Sequence, residues 1–104
     1  EAPKTIQEMK IIGKSINAPL VANMIEGGAT PIISKSKLHK MGFKIVLYPL
    51  SVLFSNTYST LKLLQELKKS GTTRKLSKQI VNFNQFNDIV ELSKYRKLEQ
   101  KYKK

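Results

Sequence analysis

The run Pro19-Leu-Val-Ala-Asn-Met-Ile-Glu-Gly-Gly-Ala-Thr-Pro31 restricts the fold of this chain more than any other stretch. Leu20, Val21 and Ala22 form a short, continuously apolar segment of the kind buried on both faces of a parallel sheet, and the polar Asn23 stands where such a strand ends. In parallel α/β folds that end is where ligands sit. Gly27 and Gly28 permit positive φ and close approach of backbone N–H groups to an anionic ligand, and Pro31 stiffens the exit.

The flanking segments read as alternating helices and strands. Thr5-Ile-Gln-Glu8 has the spacing of a capping box, and Ile6, Met9, Ile12 and Ile16 recur at helical intervals, which predicts a helix over 6–15 that ends before Asn17-Ala-Pro19. Ser34 is placed to cap a short helix running to Met41, with Gly42 just past its end, and a second strand follows over 43–48. From Leu50 to Ser70 the positions Leu50, Leu53, Phe54, Thr57, Leu61, Leu64 and Leu67 make an apolar stripe, so the longest helix lies here and stops at Gly71. Asn82-Phe-Asn-Gln85 is a second capping box, opening a short helix that carries Phe83, Phe86, Ile89 and Val90, and Ser93 is expected to cap a final helix with Tyr95, Leu98 and Tyr102. Strand and helix alternate up to Ser70, and the remainder is all helical.

The formal net charge of +12 raises nucleic acid as a partner, since neutralising phosphates dominates such binding. The distribution argues against it: Arg74 and Arg96 are the only arginines, the lysines are scattered over all the predicted helices but the short one that carries Phe83 and Phe86, and no basic stripe interleaved with aromatics occurs. A solvated basic surface is the expectation. With no cysteine, neither a disulfide nor a thiolate site or nucleophile can form within these residues. No basic-then-apolar leader and no apolar run of about 20 residues is present, so a cytoplasmic protein without a membrane partner is expected. The single histidine, His39, falls on a short lysine-rich helix and reads as a surface residue, and Glu26 reads as a solvated or ion-paired loop carboxylate.

Pro19 to Pro31 resembles the seventh-strand segment of the isocitrate lyase and phosphoenolpyruvate mutase superfamily. Phe43-Lys-Ile-Val-Leu-Tyr-Pro-Leu-Ser51 is similar to that family's eighth strand and the start of its last barrel helix, and Glu1-Ala-Pro3 to the end of its sixth strand. Gly71-Thr-Thr-Arg74, Phe83-Asn-Gln-Phe86 and the segment from Leu92 to Tyr102 resemble its C-terminal tail, so the likeness runs along essentially the whole chain. It implies an α/β fold: the last βα units of a (β/α)8 TIM-type barrel over residues 1–70, then a helical oligomerisation tail over 71–104. A complete barrel needs about 250 residues. With no initiator Met before Glu1, the chain reads as the C-terminal part of a longer enzyme or the product of a truncated gene.

The same resemblance implies Mg2+-dependent cleavage or rearrangement of small 2-oxo and 2-hydroxy acids, in which the metal neutralises charge developing on oxygen. It makes Glu1, Asn23, Met24, Ile25, Gly27, Gly28, Pro49 and Leu50 substrate-binding candidates. Asn23 would hydrogen-bond a substrate carboxylate, Glu1 would help organise the metal and carboxylate site, and Pro49 and Leu50 would form the turn closing the eighth strand over the substrate. Methylisocitrate lyases of the family place arginines where Phe54 and Phe83 stand here, so these two positions should determine the subfamily: losing two bidentate anchors points to fewer carboxylates or more apolar bulk on the substrate. The family's metal-binding aspartates and its cysteine acid/base have no counterpart, the only aspartate being Asp88 in the tail, so neither catalytic nor metal-ligating residues are expected in this chain. The tail implies a homo-oligomer, a tetramer that exchanges C-terminal helices, or else pairing with a missing N-terminal barrel segment. Phe83, Phe86, Tyr95 and Leu98 would serve as subunit contacts or pack on the chain's own last barrel helix.

Two readings of function follow. One is a segment of a carbon–carbon lyase of this family, supplying substrate wall and subunit contacts and inert by itself. The alternative is an autonomous small basic α/β module that binds an anionic partner such as RNA or an acidic protein.

Overall fold

The computed structural model describes residues 2–103, which fall into two compact units divided between Ser59 and Thr60, within one long helix. The first unit contains helix α1 (Ile6–Ser15), strand β1 (Leu20–Asn23), helix α2 (Lys35–Lys40), strand β2 (Phe43–Leu47) and the start of helix α3 (Ser51–Ser70). As the sequence predicts, Thr5 caps α1, its hydroxyl accepting from the Glu8 N–H at 3.1 Å. The capping box is only half formed. The Glu8 carboxylate reaches past Thr5 and accepts from the Lys4 N–H at 2.6 Å. Helix α2 starts after Ser34 as expected, but the Ser34 side chain makes no cap, its hydroxyl meeting that of Ser36 at 3.1 Å instead.

β1 and β2 pair in parallel, with Val21 opposite Ile45, Ala22 opposite Val46 and Asn23 opposite Leu47. Leu20 pairs with Phe43, so one extra residue is accommodated in β2 between Phe43 and Ile45. That irregularity turns Phe43 to the same side as Val46, with Leu20 and Ala22 across from them. This face carries the core: Met9 of α1 and Leu38 of α2 close over Ala22, Met24, Ile33 and Phe43, with Ile12, Leu20, Met41 and Val46 packed around them. Opposite it Val21, Ile45 and Leu47 remain about half exposed, at 50%, 50% and 46%. α1 approaches the turn after α2 at backbone distance. A Cβ on Gly13 would lie 1.6 Å from the Met41 carbonyl oxygen, and Gly42, at φ +101°, has a conformation that side chains rarely adopt.

The second unit holds the rest of α3, a 3-10 turn over Arg74–Leu76, helix α4 (Phe83–Ile89) and helix α5 (Leu92–Tyr102). The Asn82–Gln85 capping box is fully formed, with both reciprocal hydrogen bonds at 2.9 Å. The expected Ser93 cap is not: Glu91, just past the Val90 C-cap of α4, takes a left-handed conformation (φ 52°, ψ 37°), which starts α5 at Leu92 and leaves Ser93 inside the helix. Leu76 is the buried apolar side chain here, and Lys62 donates to the Gln79 side-chain oxygen at 2.5 Å. The longest helix lies where the apolar stripe predicts, but none of the 20 residues of α3 is buried. No helix among the described residues is long and apolar enough to cross a membrane.

Candidate functional site at the strand ends

Asn23 is the last residue of β1, exposed, and on the uncovered face beside Val21. Its strand continues one step further as a ladder: the Met24 N–H donates to the Leu47 carbonyl at 2.8 Å, which locks the ends of β1 and β2 side by side. The Met24 side chain goes the other way, fully buried in the core, so this expected wall residue offers backbone at the strand end while its thioether fills the interior. Ile25 is half-buried and begins a tight turn, closed by the Gly28 N–H donating to the Ile25 carbonyl at 3.0 Å. Gly27 holds the third position of that turn at φ +74°, the conformation a type II turn demands there. The Gly28 amide, expected to be free to approach an anion, is therefore engaged within the turn.

Pro49 and Leu50 follow β2 at the same sheet end, Pro49 exposed and Leu50 half-buried, and the Leu50 carbonyl accepts the first helical hydrogen bond of α3, from Phe54, at 2.8 Å. Phe54 is 43% exposed on α3, whereas Phe83, 79% exposed at the start of α4, belongs to the other unit. Glu1 lies outside the described residues. A groove of about 250 Å3 brings Asn23, Met24 and Ile25 together with Pro3, Leu20 and Thr30; Gly27, Gly28, Pro49 and Leu50 do not line it.

Glu26, read from the sequence as a solvated loop carboxylate, is exposed but engaged: it accepts a hydrogen bond from the Ser51 hydroxyl at 2.5 Å. That bond, together with one from its own backbone, holds the Glu26 carboxyl below its ordinary pKa. Ser51 is the first residue of α3, and sequence reasoning missed the contact because 25 positions separate the partners. The described residues contain no group of three His, Asp or Glu side chains able to hold a metal, and Asp88 stands on α4. The side chains of the described residues do not by themselves fit a magnesium site.

No protein-family model matches the chain. It is 38% identical over 102 residues to the chloroplastic carboxyvinyl-carboxyphosphonate phosphorylmutase of Arabidopsis thaliana, covering 98% of this chain and 30% of that protein. With the 2,3-dimethylmalate lyase of Eubacterium barkeri it shares 35% identity over 102 residues, covering 98% of this chain and 35% of the relative. The crystal structure of a 2,3-dimethylmalate lyase, described as a PEP mutase/isocitrate lyase superfamily member, superposes with a TM-score of 0.80 at 25% identity, over 97% of this chain and 36% of that one. The chain belongs to the PEP mutase/isocitrate lyase superfamily.

For this superfamily member the parallel β1–β2 pair, with its helix-packed core on one face and Asn23 on the other, corresponds to a fragment of the TIM-type barrel of its structural neighbours. The chain spans about a third of the length of the relatives it matches.

Proposed function

We propose that this chain supplies part of the substrate wall of a Mg2+-dependent carbon–carbon lyase acting on a small 2-hydroxy di- or tricarboxylic acid, and that it is not catalytic alone. In this reading residues 1–70 are the last βα units of the barrel and 71–104 a tail that makes subunit contacts in a homo-oligomer. The observation that carries the proposal is the position of Asn23 at the end of β1, exposed on the uncovered sheet face and level with Leu47. From there its amide N–H can donate to a substrate carboxylate and orient it, while the Ile25–Gly28 turn and the Pro49–Leu50 segment bound the same end. Glu1 is assigned to the same wall from its resemblance to the family's glutamate at the end of the sixth strand.

Phe54 and Phe83, standing where methylisocitrate lyases carry arginines, favour a dicarboxylic acid with apolar substituents. Each missing Arg–carboxylate pair corresponds to about 1.5–3 kcal/mol.

The test replaces the matching C-terminal part of the Eubacterium barkeri 2,3-dimethylmalate lyase with this chain. The chimera is expected to release pyruvate from 2,3-dimethylmalate with Mg2+, and Asn23→Ala to lower kcat/KM by roughly 10- to 150-fold through loss of one hydrogen bond to a charged group. Phe54→Arg with Phe83→Arg should move the kcat/KM ratio toward methylisocitrate by about two to four decades if the two effects add. A chimera indifferent to Asn23→Ala would overturn the assignment of Asn23, and one already favouring methylisocitrate would remove the two phenylalanines as markers of substrate class. The 104-residue chain assayed without a partner should show no turnover.

A further inference from the structure

We propose that Glu26 is a positioning residue: from the turn after β1 it supplies the negative charge that the first turn of α3 lacks, and so holds the loops following β1 and β2 together. Its value for substrate binding rests on the reading above, in which both loops border a carboxylate site. The contact itself does not depend on that reading.

The first turn of a helix presents unpaired N–H donors and a partial positive charge, normally met by a nearby acid or a capping side chain. α3 is 20 residues long, yet its first turn contains no acidic residue. The Glu26 carboxylate accepts from the Ser51 hydroxyl at that helix start, bringing the missing anion from 25 positions earlier. Two features make so long a connection cheap. The Met24–Leu47 hydrogen bond already fixes the strand ends side by side, so the ring closed by Glu26 and Ser51 consists of residues 24–26 and 47–51 alone, and short closures lose little chain entropy. The Ile25–Gly28 turn, with Gly27 at φ +74°, then sets the direction of Glu26 without any bulky residue at the bend. The lowered carboxyl pKa is consistent with this contact.

The experiment measures backbone amide hydrogen exchange by NMR on the 104-residue chain, wild type against Ser51→Ala, Glu26→Ala and Ser51→Thr. Three amides report: Gly28, bonded to Ile25; Phe54, the first helical bond of α3; and Met9, the equivalent first bond of α1, bonded to Thr5. Ser51→Ala and Glu26→Ala should each accelerate Gly28 and Phe54 by about three- to tenfold and leave Met9 unchanged, the size expected for losing one hydrogen bond. Ser51→Thr, which keeps the hydroxyl, should stay within about twofold of wild type at all three. Two results would overturn the proposal: unchanged exchange at Gly28 in both alanine variants, or acceleration of Met9 together with the other two, which makes the residues merely structural. Because no substrate enters this measurement, its failure leaves the proposed wall standing, and failure of the chimera leaves the contact standing.

Discussion

At the scale of single residues, position along a strand carries more information than residue type. Asn23, Val21 and Met24 are neighbours in sequence, yet the first two lie on the uncovered sheet face while Met24 is buried in the core. The period of a strand explains all three: Val21 and Asn23 point to one face, and Met24, one step beyond β1 in the same alternation, falls on the core face with Leu20 and Ala22. Glu26 shows the limit of such reasoning, since nothing local to a Glu-Gly-Gly sequence indicates a serine at a distant helix start. Its depressed carboxyl pKa has a consequence with a definite sign. A group whose folded-state pKa is lowered contributes stability above its unfolded value, about 4.3 for glutamate, and loses it as pH falls through the depressed value. No ion pair reaches Glu26 among the described residues, the recorded pairs being Lys75–Glu66 and Lys94–Glu91, so the Ser51 hydroxyl should dominate. A carboxyl-carbon NMR titration is expected to give Glu26 a midpoint below that of an ordinary glutamate, and Ser51→Ala to move it back up. An unchanged midpoint in that variant would assign the shift to the backbone alone.

At the scale of elements, what the sequence announces is what local chemistry decides. The start of α1, the Asn82–Gln85 box and the two strands were legible because caps and apolar runs act over a few residues. What was not legible depends on another element's arrival. Gly13 gave no signal, since a glycine inside a helix reads only as a mild penalty, but its missing side chain is what lets α1 meet the Met41 carbonyl. Gly13→Ala therefore sets two effects against each other. Helix propensity favours alanine by about 1 kcal/mol, whereas a Cβ placed 1.6 Å from a backbone oxygen forces the elements apart. The clash should win, with net destabilisation of about 1–3 kcal/mol, read as a lower denaturant midpoint at constant m-value. The Phe43 irregularity escaped prediction for the same reason. Strict alternation groups Phe43 with Ile45 and Leu47, and only the pairing with Leu20 shows that it turns the other way.

At the scale of the whole molecule, the apolar pattern anticipated more cover than the described residues provide. Leu53, Phe54, Leu61 and Leu64 form the stripe that the sequence promised, and each is 43–58% exposed. A stripe indicates that a helix will be covered without saying by which surface, and the matched relatives are about three times as long as this chain. Among the described residues the two strands pair only with each other, so both outer edges keep unsatisfied backbone donors and acceptors, next to half-exposed Val21, Ile45 and Leu47. Such an edge is adhesive toward any other extended segment, including that of a second copy. What opposes adhesion is long-range repulsion between bodies of net charge +12. The isolated chain should therefore behave as a charge-stabilised colloid. Light scattering is expected to report monomers at about 10 mM ionic strength, where repulsion reaches roughly 30 Å, and growing particles near 1 M, where it reaches about 3 Å; for this chain, dilution of salt rather than of protein would be the condition that keeps it dispersed.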